Sequence, residues 1–124
     1  MQGSADYADG FAFGRGGVRQ LFREKRGVTA IFTMDAQEAI GAIRGLSEVG
    51  KSVPRDVSVM TCDDSLLAAN MIPALTVMDI PNRRLGNDAM RRVNAILESG
   101  ATPSLPPALD VEIIARESTA ALKQ

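Results

Sequence analysis

Apolar residues along this chain fall into short continuous runs, separated by segments in which they recur every three or four positions. That change of period predicts strands interleaved with helices. Three runs rich in β-branched residues or Met read as strands: 28–34 (VTAIFTM), 57–62 (VSVMTC) and 75–80 (LTVMDI). The first two are apolar at nearly every position, which predicts parallel strands covered on both faces. Between them, residues 35–49 set Ala36, Ala39, Ile40, Ile43 and Leu46 on one helical face, and Gly50 follows where a left-handed C-terminal cap belongs. The result is a β-α-β unit with a right-handed crossover. Upstream, residues 16–26 carry Val18, Leu21 and Phe22 at amphipathic spacing before Gly27, predicting a short helix. Downstream, residues 82–99 place Leu85, Ala89, Val93, Ile96 and Leu97 on one face, with Asn82 as N-cap and Gly100 as the stop. A short helix over 65–71, a Pro-rich link over 102–107 and a last strand over 111–115 complete the reading. The predicted class is α/β, a three-layer parallel sheet with helices on both faces.

Composition narrows the function classes. At 124 residues the chain is one domain or a piece of a larger one, and 45% hydrophobic content without Trp predicts an aliphatic core. A net charge of −1 lacks the basic footprint of a nucleic-acid binder. Arg83, Arg84, Arg91 and Arg92, interspersed with Asp88 and Glu98, read as a solvated helix face rather than a phosphate site. With no His, the Ser-His and Cys-His arrangements are excluded, and the single Cys62 leaves neither an intramolecular disulfide nor an ordinary zinc ligand set. No GxxxxGK[ST] loop occurs, and GRGG at 14–17 lacks GxGxxG spacing. The chain is therefore expected to be no enzyme and to need no metal or cofactor. Neither a leader-like N-terminus nor a bilayer-length apolar run is present, so a cytoplasmic protein without membrane partners is expected.

Carboxylates close the first two strands. Asp35 follows one, and Asp63 with Asp64 follows the other. In open α/β sheets ligands bind beyond the carboxyl ends of the strands. Carboxylate oxygens there can accept hydrogen bonds from a polyol or a ring N–H. The alternative is structural: Asp35 caps the helix that follows it, and Asp63 or Asp64 caps the helix over 65–71.

Four blocks, 29–46 (TAIFTMDAQEAIGAIRGL), 50–64 (GKSVPRDVSVMTCDD), 72–86 (IPALTVMDIPNRRLG) and 115–120 (ARESTA), stand in an order and spacing that resemble one family. This is the effector-binding domain of LacI/GalR bacterial transcription regulators, which share the periplasmic sugar-binding-protein fold. The resemblance runs from about Phe11 to Ala120. It implies a two-lobed sensor closing on a small-molecule effector of the sugar or nucleoside class, with residues 1–81 and 101–120 in the C-terminal lobe. Residues 82–100 would be a crossover helix that normally packs on the N-terminal lobe. Here its apolar face is expected to pack back on this domain's own sheet or to exchange with a second copy. Operator DNA would be met only through a helix-turn-helix headpiece that these residues do not include.

The resemblance also assigns roles to residues. Asp63 matches the first carboxylate of the family's strand-end pair, which binds effector hydroxyls. Asp35 stands where an Asn-Asp or Thr-Asp pair begins, with Ala36 departing from the usual Asp. Phe11, or Phe13 in the neighbouring register, matches an aromatic that stacks on the sugar, with an ordinary core Phe as the alternative. Ile80 replaces a frequent Gln. A homodimer interface is implied at Ala39, Ile43, Leu66, Leu67, Met71 and Ile72, the domain's own core being the competing use of these side chains. A lobe of a periplasmic sugar-binding protein is the second reading, and the VPRDVSV and ARESTA blocks favour the regulator.

Overall fold

The computed structural model describes residues 9–24, 27–62, 64–100, 104 and 107–122. The elements run α1 (Gly10–Glu24), β1 (Ala30–Thr33), α2 (Ala36–Glu48), β2 (Ser58–Cys62), α3 (Leu66–Asn70), β3 (Thr76–Asp79), α4 (Asn82–Ser99) and β4 (Glu112–Ile114). The four strands form one sheet in the order β1-β2-β3-β4. β1 pairs with β2 and β2 with β3 in parallel, with Thr33 beside Thr61 and Cys62 beside Met78. All three therefore end at one edge, as the predicted β-α-β unit requires.

The first helix differs from its prediction. It begins at Gly10, because the Asp9 carboxylate accepts the Ala12 N–H at 3.0 Å and the Asp9 carbonyl accepts the Phe13 N–H at 3.0 Å. Of the glycines in this helix, Gly14 marks a helix interface, while a side chain at Gly16 or Gly17 would meet open space. A Cβ on Gly14 would overlap the Glu38 carbonyl and lie 2.9 Å from the Ala42 nitrogen. One on Gly41 would overlap the Phe11 carbonyl. Helices α1 and α2 thus meet backbone to backbone, an approach only a missing side chain permits.

Helix α2 follows the prediction closely. Gly50, at φ 74°, donates to Ser47 O at 3.1 Å while Lys51 donates to Leu46 O at 2.8 Å, the paired bonds of a Schellman stop. At its end Glu48 gathers Arg15 at 2.6 Å, Arg19 at 2.8 Å and Arg44 at 3.1 Å. Hydrogen bonding from Arg15, reinforced by Arg44 and by the charges of Arg15 and Arg19, holds the Glu48 carboxyl down at about 2. In the turn before β2, the hydroxyl and then the N–H of Ser52, with help from Arg55, hold Asp56 well below the usual carboxylate range.

The core joins Val18 of α1 and Ala39, Ala42 and Leu46 of α2 to Val57, Val59, Leu75 and Val77. β2 matches its prediction as a buried strand, but β1 does not. β1 is the sheet's edge, and its residues alternate, with Phe32 52% exposed and Thr33 buried. Successive side chains of a strand point to opposite faces, so the Thr33 face of β1 is covered and the Phe32 face is open.

The segment after β4 closes the other end of the sheet. Ser118, fully buried, donates its hydroxyl to Val59 O at 2.6 Å and accepts the Thr76 N–H at 2.8 Å. Its carbonyl accepts the Val59 N–H at 2.8 Å.

The chain divides into two compact units, Met1–Asp79 with Ile113–Gln124, and Ile80–Glu112. The second contains α4. Asn82 is not its N-cap: Pro81 holds that position without a side-chain bond, and Gly100 ends the helix in the left-handed conformation at φ 67°. An Arg84–Asp88 pair at 3.8 Å lies along the helix, and Arg92 donates to Ser104 O at 2.8 Å. No residue of α4 is buried, and Leu85, Met90, Val93 and Leu97 are exposed.

Candidate functional site

The carboxyl-end edge of the sheet collects the turns after β1 and β2. After β1, the buried Thr33 hydroxyl donates to Asp35 O at 3.2 Å, fixing the turn from beneath. Asp35 Oδ1 accepts the Glu38 N–H at 2.9 Å, and Glu38 Oε2 accepts the Met34 N–H at 3.0 Å. Together the two bonds brace the turn from β1 into α2, the second reaching one residue past the N-cap. The N-cap reading of Asp35 is thus realised, and its carboxylate sits beside the first turn of α2, where the helix dipole favours negative charge. The spacing of Asp35 and Glu38 could have announced this brace.

After β2, Asp63 lies outside the described residues. Asp64 does not cap α3. Ser65 does, accepting the Ala68 N–H at 3.2 Å. Asp64 instead receives Arg116 Nη2 at 2.6 Å, while Arg116 Nη1 donates to Leu75 O at 3.0 Å and its backbone N–H to the Thr76 hydroxyl at 2.9 Å. Sequence reasoning missed Arg116 because no local signal links residues 52 positions apart. Beneath, the buried Thr61 hydroxyl donates to Thr33 O at 3.3 Å, tying the two strand ends together.

The aromatic candidates sit on the first two turns of α1. Phe11 is 42% exposed and Phe13 71% exposed, so neither is an ordinary core residue. Phe13 lines an open groove of about 450 Å³ between α1 and β1, together with Leu21, Phe32, Met34 and Glu38. Among the interface candidates, Ala39 is fully buried in the chain's own core, and Ile43 and Met71 pack against that core. Leu66, Leu67 and Ile72 are 84%, 51% and 90% exposed. Ile80 is partly exposed and opens the second unit.

Comparison with known proteins gives the arrangement its context. Residues 5–119 match the family model described as periplasmic binding protein-like domain. The HTH-type transcriptional regulator RegA of Clostridium acetobutylicum is 30% identical over 105 residues, covering 85% of this chain and 31% of that protein. The transcriptional regulator CelR in complex with cellobiose superposes with a TM-score of 0.77 at 27% identity, over 87% of this chain and 33% of that one. A LacI family transcriptional regulator from Arthrobacter sp. FB24 in complex with lactose gives 0.70 at 26% identity, over 89% and 41%. The chain spans about a third of the length of the relatives it matches. No described helix is long and apolar enough to cross a membrane. The chain belongs to the periplasmic binding protein-like domain family, and what it resembles there is the effector-binding part of LacI-type transcriptional regulators.

Proposed function

We propose that this chain is the effector-sensing part of a LacI-type transcription regulator and binds a small polyhydroxy ligand, of the sugar class, at the carboxyl-end edge of its sheet. The observation that carries the reading is the convergence there of two carboxylate-bearing turns on parallel strands. Relatives of the same fold hold cellobiose and lactose. Asp63 supplies the principal acceptor for ligand hydroxyls. Asp35 offers the oxygen that its cap does not use, and Phe13 or Phe11 supplies an apolar face for the C–H side of a sugar ring. Leu66, Leu67 and Ile72 form part of a homodimer contact, and operator DNA is met by a headpiece outside these residues. Ligand closure then acts by differential affinity for two arrangements of the regulator.

Thermal-shift titration with cellobiose, lactose and a nucleoside panel tests this, because a ligand that binds only the folded state raises the melting temperature. One class is expected to give a saturable shift. Asp63→Asn should reduce it at least tenfold in apparent affinity. Asp35→Asn keeps a good cap, so the unliganded melting temperature should hold while the ligand shift shrinks. No shift with any probe, or shifts untouched by both substitutions, would sink the assignment.

A further inference from the structure

We propose that Arg116 is a positioning residue for the turn after β2, holding Asp64 at the end of that strand against the start of β3. This rests on the site assignment above for its functional meaning but not for its geometry. The guanidinium spans two elements. One nitrogen binds Asp64 Oδ1 at 2.6 Å and another the Leu75 carbonyl at 3.0 Å, and the backbone of Arg116 is pinned to the Thr76 hydroxyl at 2.9 Å. The Thr76 hydroxyl is paired in turn with Thr119 at 2.8 Å, and the neighbouring Glu117 carboxylate accepts the Ala74 N–H at 2.9 Å. Arg116 is thus held along its length rather than hung from one ion pair.

The other cation–carboxylate pairs put a well-exposed cation on the surface, with Arg15 45%, Arg44 71% and Arg55 69% exposed. Here the cation is the covered member, with the Arg116 side chain 19% exposed. A covered, planar guanidinium bonded at several atoms gives directional constraint that a lysine cannot reproduce. Asp64 opens the turn into α3, whose cap at Ser65 and return at Leu75, which donates to Ala68 O at 2.9 Å, lie within the same small loop. Fixing Asp64 therefore fixes the entry to the turn between β2 and α3.

The test is amide hydrogen exchange by NMR on the whole chain, comparing wild type, Arg116→Gln, Arg116→Lys and the exchanged pair Asp64→Arg/Arg116→Asp. The reporters are the Ala68, Ala69 and Leu75 amides around the turn, and Gly50 and Lys51 at the far end of α2 serve as controls. A positioning role predicts at least tenfold faster exchange at the turn in Arg116→Gln, a smaller increase in Arg116→Lys, partial recovery in the exchanged pair, and controls within twofold. Equal acceleration at turn and controls, or none at the turn, overturns it. Arg116→Lys preserves the charge and serves as the readout if Arg116→Gln does not fold. Thermal shifts with cellobiose and lactose on the same variants address the ligand. Their absence in wild type counts against the sugar site, while the exchange data still decide the clamp.

Discussion

Two glycines on the same helix should respond to alanine with opposite signs. On an open helix surface, Gly→Ala stabilises by about 1 kcal/mol, because glycine loses the most backbone freedom on folding. At Gly16 an added Cβ meets nothing within 4 Å, so Gly16→Ala should show that gain. At Gly14 the same methyl overlaps the Glu38 carbonyl and approaches the Ala42 nitrogen to 2.9 Å. These are backbone atoms of α2 and cannot rotate away, so α1 as a whole must retreat. The retreat loosens Val18, 3% exposed, from its place in the core beside Ala42 and Leu46. Overpacking of this kind costs about 1–3 kcal/mol, and an unyielding backbone contact puts Gly14→Ala at the upper end. After the propensity gain is subtracted, the net loss is about 2 kcal/mol. Urea titration with unchanged m-values should therefore place the two variants about 3 kcal/mol apart, or roughly 12 °C in melting temperature at about 4 °C per kcal/mol for a domain of this size. If Gly14→Ala lies within about 0.5 kcal/mol of Gly16→Ala, or above it, the backbone-to-backbone reading of α1 on α2 is wrong.

Ser118→Ala should cost about 2–3 kcal/mol, since it leaves the Thr76 N–H and the Val59 carbonyl buried without their partner. Chemical denaturation gives the number, and Ser118→Gly should be no better. For Glu48, hydrogen bonding from Arg15 lowers the folded-state pKa from 4.5 to about 2. The group therefore adds stability fully present above about pH 4.5 and lost as pH falls towards 2. Wild type and Glu48→Gln should differ in melting temperature at neutral pH and converge through that window. A difference that persists at the acid end would contradict the assignment. The cluster is solvent-facing, so added salt should also narrow the gap.

Much of the site's frame was readable along the chain. The apolar runs ending in Asp35 and in the Asp63–Asp64 pair predicted carboxylates at the carboxyl ends of parallel strands, and β1 and β2 place Asp35 and Asp64 there. What each carboxylate does was not readable. Asp35 caps α2 through the Glu38 N–H, a local feature, whereas the partner of Asp64 comes from the far end of the chain. The α1 boundary was misplaced for a related reason. Local propensity treats Gly14, Gly16 and Gly17 alike, yet Gly14 is demanded by α2 while a side chain at the other two would meet open space.

The sequence alone determined the alternation of strands and helices, the Gly50 and Gly100 stops and the family, because periodicity, capping and block spacing are local or linear properties. Only the tertiary structure decided that β1 is an edge, that Ala39 belongs to the core while Ile72 faces solvent, and that Arg116 holds Asp64. Those outcomes depend on which distant segments come together, and sequence spacing does not encode that information.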